Sequence, residues 1–113
     1  MKDEIIVLAD RGGVIRFWSE GAERIFGYRI AEAVGKSLDL LVPPQYREAH
    51  WNGFRRAVES GSAAAEGQAG PFPAQCANGD ILVVTGRLTL IRAPHGEVAG
   101  ATVVFNTLTA DED

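Results

Sequence analysis

Apolar and polar positions near the start of the chain follow the pattern of a β-hairpin. Ile5 to Ala9 is a short apolar run typical of a strand, and Val14 to Trp18 is a second such run. Between them, Asp10-Arg11-Gly12-Gly13 is a strong turn signal. Because side chains alternate across a strand, one of Phe17 and Trp18 faces inward and the other is available to a partner surface.

Short helical patterns follow the hairpin. Ser19 is a good N-cap for a helix from Glu20 to Phe26, and the acidic first residue suits the positive end of the helix dipole. A second short helix is predicted from Ile30 to Val34, closed by Gly35. A further apolar patch before Pro43 consists of Leu38, Leu40, Leu41 and Val42.

The longest amphipathic pattern predicts a helix from about Pro44 to Ser60. Proline suits a first helical turn because it fixes φ near the helical value, and Gly61 is a natural helix end. Gly53, inside this helix, costs about 1 kcal/mol relative to alanine, so either packing compensates or something approaches the backbone closely there. At helical period, the buried stripe contains a histidine and consists of His50, Trp51, Phe54, Ala57 and Val58.

The chain after this helix has the signals of a loop and two strands. Ser62 to Pro73 is rich in alanine, glycine and proline, which predicts a loop leading into an edge strand near Phe72 to Cys76. Asn78-Gly79 is a strong hairpin turn signal, and it joins that strand to a long one from Ile81 to Arg92.

A last strand is predicted from Val98 to Leu108. In this strand Gly100 and Ala101 leave room for a bulky group above the sheet. In the preceding strand Leu88 and Leu90 belong to the apolar face of an alternating pattern.

This order of elements predicts an α+β fold. Two strands at one end of the chain and three at the other close into a five-stranded antiparallel sheet, with the short helices and the long helix on one face. Such a domain has a natural cavity between the long helix and the sheet. We expect a single domain over residues 1–113, with its core at about 4–109 and an acidic tail at 110–113.

Composition narrows the functional classes. The chain has 113 residues, 46% of them hydrophobic and 23% charged, which is ordinary for one folded domain. A net charge of −4 gives no electrostatic support to nucleic-acid binding. The apolar runs are far shorter than a membrane span, and the start Met-Lys-Asp-Glu lacks the apolar stretch of a signal peptide. We therefore expect a cytoplasmic location without membrane association.

Candidate catalytic chemistry is sparse. One cysteine excludes an internal disulfide, and with only two histidines beside it the spacing builds no ordinary metal-ligand cluster. No serine or cysteine is paired by motif with a base, and no glycine-rich loop carries a phosphate-binding lysine. The chain is therefore not expected to be an enzyme.

Glycine, aromatic and acidic residues recur at fixed spacings in three stretches of the first half of the chain. The stretches are Asp10-x-x-Gly13-x-Ile15-x-Phe17-Trp18-x-x-Gly21-Ala22-Glu23-x-Ile25-Phe26-Gly27-Tyr28, Glu32-Ala33-x-Gly35-Lys36-Ser37-Leu38 and Leu41-Val42-Pro43. They resemble the N-terminal half of a PAS domain, and the later turns and last strand fit the same family. The resemblance implies a PAS fold and a sensory or dimerisation module, normally part of a histidine kinase, cyclic-dinucleotide enzyme, chemoreceptor or transcription regulator.

The chain departs from the family pattern at three places. Ser19 stands where PAS domains usually carry asparagine, and both residue types cap helices. The flavin-binding photoreceptor branch has a cysteine after Gly35, where this chain has Lys36-Ser37-Leu38-Asp39, so flavin-adduct photochemistry is not expected. Thr107-Leu108-Thr109 replaces the Asp-x-Thr that closes the last strand in the family, which bears on coupling to an effector.

His50 is the candidate cofactor residue. The run from Pro43 to His50 is similar in shape to the segment that carries the proximal histidine in heme-binding oxygen-sensor kinases. This resemblance implies heme b with His50 as a ligand to the iron, and a neutral imidazole on an apolar face suits that role. The alternative is a packed histidine that bonds a backbone carbonyl. The arginine that the oxygen-sensing branch places in the following strand falls near Gly70 here, so the distal chemistry would differ.

Cys76 is a second candidate ligand to the iron, because a thiolate favours the ferric state. A lone cysteine at a strand end is more often a small apolar filler, and we favour that role.

Two functional hypotheses follow from these patterns. In the first, a heme or another small ligand binds between the long helix and the sheet and is sensed through a conformational or dimer change. Its binding residues would be His50, Trp51, Phe54, Leu88, Leu90, Gly100 and Val103. In the second, the core is filled, no ligand is bound, and the domain forms a homodimer or docks through the sheet face or the N-terminal segment. In both, a kinase, cyclase or regulator outside this chain is the effector.

Overall fold

The computed structural model describes residues 4–64 and 66–106 and has the predicted order of elements. The strands are β1 (Ile5–Asp10), β2 (Ile15–Trp18), β3 (Ala69–Gln75), β4 (Ile81–Arg92) and β5 (Val98–Phe105). The helices are α1 (Glu20–Phe26), α2 (Ile30–Ala33) and α3 (Arg47–Ser60), with short 3₁₀ turns at Leu38–Leu40 and Pro44–Tyr46.

The five strands form one antiparallel sheet in the order β2-β1-β5-β4-β3. The first and last parts of the chain therefore meet at its centre, where β5 lies between β1 and β4. Val103 pairs with Val7 on one side and with Leu88 on the other. The α+β class and the five-stranded sheet predicted from the sequence are confirmed.

The boundaries of two predicted elements need correction. The predicted loop reaches Pro73, but β3 begins at Ala69 and runs through both Pro71 and Pro73. An edge strand tolerates prolines because one row of its N–H groups has no partner strand, and β3 is such an edge. The predicted long helix is confirmed, although its first turn at Pro44–Tyr46 is a 3₁₀ turn. Within the described residues the last strand ends at Phe105, and Thr107-Leu108-Thr109 and the tail 110–113 lie outside them.

The sheet face that carries the helices is packed differently in its two halves. Near α1, large side chains fill the core, and Phe26 contacts Phe105 edge to face with ring centroids 5.5 Å apart. Trp18 belongs to the same cluster and donates from Nε1 to the Tyr28 carbonyl at 2.9 Å. Phe17, its neighbour, is 47% exposed on the opposite face, so these two aromatic residues face opposite sides of the sheet as predicted.

α3 covers the other half of the sheet with smaller residues. Its start is tied to the segment before it, because Arg47 donates to the Val42 carbonyl at 3.0 Å and to the Asp39 carbonyl at 3.1 Å. No helix among the described residues is both long and apolar enough to cross a bilayer.

Candidate functional site

A cavity of about 620 Å³ lies between α3 and the sheet. This volume is in the range of small-molecule and cofactor sites. Apolar side chains of four strands form its floor, namely Val7, Ala9, Phe72, Ala74, Leu88, Leu90, Ala101, Val103 and Phe105. Leu38, Leu41 and Val42 close one end, and Ser62, Ala63 and Ala64 border another part of the wall.

The wall that α3 contributes has small residues along its middle. Ala49, Gly53 and Ala57 recur at intervals of four residues, so they share one helix face. Longer side chains flank this row on both sides, with His50 and Phe54 on one and Arg56 on the other. Small residues on the helix and an apolar sheet below it are the physical origin of the cavity.

His50 places an imidazole in this apolar wall. Its ring packs against Trp51 at a centroid distance of 4.8 Å and against Phe54 at 5.9 Å. Nδ1 is buried without a hydrogen-bond partner, and Nε2 makes no hydrogen bond to a described residue. A buried polar atom without a partner costs about 1–3 kcal/mol, so native proteins rarely keep one without a reason.

The electrostatic surroundings favour a neutral imidazole at His50. Desolvation lowers the pKa of His50 below its ordinary value of 6.5, and the negative charge of Asp39 acts against this with a smaller effect. A neutral imidazole has a nitrogen lone pair that can ligate a metal or accept a hydrogen bond, whereas an imidazolium has no such lone pair.

Arg56 brings a positive charge to the cavity wall. Its side chain is exposed, and among the described residues it has no hydrogen-bond or ion-pair partner. The guanidinium is permanently charged and presents several donors, so it suits a carboxylate. The cavity therefore combines an apolar interior with one cation at its margin.

Five of the seven residues predicted to bind a ligand line this cavity: His50, Phe54, Leu88, Leu90 and Val103. Trp51 and Gly100 are not among the lining residues. Trp51 instead donates from Nε1 to Asp39 Oδ1 at 2.7 Å, and its six-membered ring lies over Gly13. A Cβ on Gly100 would be 2.3 Å from the Ala9 carbonyl oxygen, so close approach of β1 explains this glycine. Contact of these residues with a ligand stays a prediction that their placement does not favour.

Cys76 lies away from the cavity. It is buried, is not among the residues that line the cavity with His50, and its Sγ donates to the Ile25 carbonyl at 3.7 Å. Burial and the negative charge of Asp80 raise the pKa of the Cys76 thiol, which disfavours the thiolate needed for metal ligation. These contacts suit the role of a small apolar filler.

Sequence patterns did not identify Arg56 or the segment Ser62–Ala64 as part of the site. Arg56 is one of several arginines on the helix, and helical period alone does not show which of them lies beside the cavity. Ser62–Ala64 has no period that would indicate a wall. Gly53 did give a sequence signal for this wall of the cavity, because a glycine destabilises a helix and therefore needs a reason.

The fold and the cavity define a small α+β domain with room for a ligand between its long helix and its sheet. The family described as PAS fold matches residues 2–113. The chain belongs to the PAS family, which confirms the resemblance seen in its first half.

Relatives of the chain include sensor proteins. The oxygen sensor protein DosP of Escherichia coli is 34% identical over 61 residues, which are 54% of this chain and 8% of that protein. The sensor protein FixL of Bradyrhizobium diazoefficiens is 34% identical over 47 residues, which are 42% of this chain and 9% of that protein. The chain thus spans less than a tenth of either relative.

Solved PAS domains share the fold. A PAS domain of a protein from Colwellia psychrerythraea is 25% identical with a TM-score of 0.76, covering 96% of this chain and 87% of that one. The PAS domain of the Cronobacter turicensis RpfR quorum-sensing receptor, solved in complex with C12:0, is 17% identical with a TM-score of 0.73, covering 96% and 97%. The chain is therefore a PAS sensory domain with homologues in sensor proteins.

Proposed function

We propose that this PAS domain is a ligand-responsive sensor module whose ligand binds in the cavity between α3 and the sheet. The observation that carries this proposal is His50, an imidazole that has no hydrogen-bond partner among the described residues and lies in the wall of an apolar cavity of about 620 Å³. A ligand that bonds this imidazole would satisfy it at the point where the fold leaves room.

Heme b is the leading candidate ligand. The residues present fit it: His50 offers an imidazole that is neutral near pH 7, the sheet offers an apolar surface, and Arg56 offers a cation for a propionate. When bound, heme would supply a redox-active iron that responds to gases. The similarity of Pro43 to His50 to the heme-binding oxygen-sensor kinases, and the match to an oxygen sensor protein, support this choice.

An apolar metabolite with a carboxylate is the other candidate ligand. The same cavity would enclose its apolar part, while the guanidinium of Arg56 would hold the carboxylate at the wall. In this case His50 would act as a hydrogen-bond partner rather than as a metal ligand.

The bound ligand would act by shifting an equilibrium between two arrangements of the sheet. A ligand shifts this equilibrium only by its difference in affinity for the two arrangements. The effector must therefore contact a part of the sheet that moves when the ligand fills the cavity. β1, β3, β4 and β5 all contribute side chains to the cavity, so they are the strands through which a change would pass. The proposed module is cytoplasmic, forms one domain over residues 1–113 and carries no catalytic group, with its effector outside this chain.

Absorption spectra with hemin test the proposal. The wild type, His50→Ala and His95→Ala are mixed with hemin, and ferric and dithionite-reduced spectra are recorded. We expect a sharp Soret band from the wild type and from His95→Ala, because His95 lies in an exposed turn outside the cavity. His50→Ala should give only the broad band of loosely associated hemin. Equal broad bands from all three proteins would end the heme proposal and leave the carboxylate ligand to be tested with C12:0.

A second candidate function is homodimerisation or docking through the outer face of the sheet. The observation that favours it is that four large apolar side chains on three strands, Phe17, Ile81, Val83 and Val104, are exposed on the face away from the helices. Val83 is 62% exposed, the largest exposed fraction of these four side chains. Light scattering would support this function if the wild type associates with increasing concentration and Val83→Glu stays monomeric. Association that Val83→Glu does not change would count against this face.

A further inference from the structure

The described residues give no packing reason for Gly53. It lies in the interior of α3, where glycine is less favourable than every residue except proline. A glycine is often kept in a helix because a neighbouring element packs too closely for a side chain. Here a Cβ built on Gly53 meets no heavy atom of residues 4–64 and 66–106 within 4 Å, so packing against them does not account for it.

Gly53 lies where a ligand would contact the helix. The residues of α3 that line the cavity are Ala49, His50, Gly53, Phe54, Arg56, Ala57 and Ser60. At about 100° per residue these positions form a continuous arc of the helix surface, and Gly53 falls near its centre. Any side chain at this position would therefore project into the cavity or over its mouth.

The neighbours of Gly53 in this arc are also small. Ala49 precedes it by four residues and Ala57 follows it by four, so three small residues stack along the helix and present a low, smooth surface. The rings of His50 and Phe54 contact each other and lie next to this row of small residues. Such a wall suits a flat and rigid apolar ligand better than a narrow chain, because a flat ligand contacts the whole row.

We infer that Gly53 is a specificity-determining residue, which keeps the α3 backbone open to close contact with a planar apolar ligand. This inference rests on the proposed function, since it needs a ligand in the cavity. It adds the shape of that ligand and a residue that selects for it. The glycine lowers the stability of the unliganded helix and leaves space that the bound ligand fills.

Substitutions at Gly53 test this inference, with Asn52 as the matched control. Asn52 is the residue just before Gly53 in the same helix, is exposed, and is not among the residues that line the cavity. The variants are Gly53→Ala, Gly53→Leu, Asn52→Ala and Asn52→Leu. The probes are hemin and iron-free protoporphyrin IX, whose binding needs no bond from His50 to a metal and therefore reports shape alone.

We expect opposite effects on stability and on binding. Gly53→Ala should raise the Tm of the unliganded protein by a few degrees, because alanine favours a helix and a Cβ has space there. Its affinity for both probes should fall, and Gly53→Leu should lose roughly tenfold or more. The Asn52 variants should bind both probes as the wild type does.

Each remaining outcome overturns a defined part of the interpretation. If the wild type binds the probes and Gly53→Leu binds them equally well, the role of Gly53 is wrong and the proposed function stands. If the Asn52 variants lose affinity as the Gly53 variants do, the effect belongs to the helix and not to ligand clearance, and the inference fails. If the wild type binds neither probe, the inference fails together with heme as the proposed ligand.

Discussion

His50 illustrates how one residue combines a stability cost with a proposed binding role. Its imidazole packs against both Trp51 and Phe54, and none of its described neighbours makes a hydrogen bond to its ring nitrogens. Desolvation is the main cause of its lowered pKa. The same burial that destabilises the charged ring keeps the neutral ring available to a ligand near pH 7.

We predict that His50 makes the unliganded fold sensitive to mild acid. Because its pKa is lower in the folded protein than in the unfolded chain, the unfolded state holds more protons between the two pKa values. The free energy of unfolding should therefore fall as pH drops from about 6.5 toward the folded pKa, and the contribution of His50 should level off below that pKa. Urea unfolding of the wild type and His50→Gln across this range measures the difference, and parallel curves would contradict the prediction.

Gly13 and Trp51 make a contact that links the β1–β2 turn to α3. Gly13 has a φ of +81°, and a Cβ there would lie 2.3 Å from Cη2 of Trp51. Gly13→Ala should therefore destabilise the protein through backbone strain of about 1–2 kcal/mol and a further cost of overpacking. Gly35→Ala is the matched control, because Gly35 has a φ of +92° and a Cβ there meets no heavy atom within 4 Å.

The packing part of that cost can be separated in a double-mutant cycle. In a Trp51→Leu background, Gly13→Ala should cost less than in the wild type, while the cost of Gly35→Ala should not change. Denaturant unfolding of the six proteins gives these differences. If Gly13→Ala costs the same in both backgrounds, then the ring of Trp51 does not restrict this turn.

At the scale of elements, the segment between α3 and β3 makes hydrogen bonds to β4 although it is not itself a strand. β3 pairs with β4 only as far as Ala69 opposite Arg87. Beyond that point Gly67 donates its N–H to the Leu88 carbonyl at 2.8 Å, and Glu66 accepts from the Leu90 N–H at 2.9 Å. The carboxylate of Glu66 thus takes the place of a backbone carbonyl beside the cavity.

Arg92 holds this carboxylate in position. Its guanidinium contacts Glu66 at 3.0 Å and also donates to the Gly61 carbonyl at 2.9 Å, so it ties both ends of the segment after α3 to β4. The hydrogen bond from Arg92, followed by the one from the Leu90 N–H, lowers the pKa of Glu66 below its ordinary value of 4.5.

We predict that Glu66→Ala opens the β4 backbone locally. Hydrogen exchange at the Leu90 amide should become several-fold faster, because its acceptor is lost, while exchange at Val84 in the β3–β4 ladder should not change. Acidification should act in the same direction. Since the pKa of Glu66 is lowered, its contribution is complete above the ordinary glutamate pKa and is lost as pH falls through the folded pKa. Unchanged exchange at Leu90 in Glu66→Ala would show that this bond is not formed in solution.

The elements themselves were largely predictable from the sequence, because period and turn residues are local signals. Contacts between distant residues were not. Helical period placed Trp51 on the inward side of α3 but could not show that it meets Gly13 rather than the cavity. Gly100 suggested space for a ligand, yet its reason is the carbonyl of Ala9, about ninety residues earlier. His50 was identifiable because a histidine on an apolar stripe is itself a local anomaly.

At the scale of the whole molecule, ligand binding and folding share one equilibrium. A ligand that binds only the folded domain adds RT ln(1 + [L]/Kd) to the free energy of unfolding, about 2.7 kcal/mol at a hundredfold excess over Kd. For a domain of about 100 residues each kcal/mol raises Tm by roughly 4–8 °C. Hemin at this excess should therefore raise the Tm of the wild type by about 10 °C or more.

The size of this shift distinguishes the cavity from the protein surface as the place where hemin binds. His50→Ala should lose most of the shift, because it removes the imidazole that lines the cavity. Val83→Glu should keep it, because Val83 is exposed on the opposite face of the sheet. Thermal unfolding over a range of hemin concentrations makes this measurement. If Val83→Glu loses the shift and His50→Ala keeps it, hemin binds at the outer face, and the cavity is not its site.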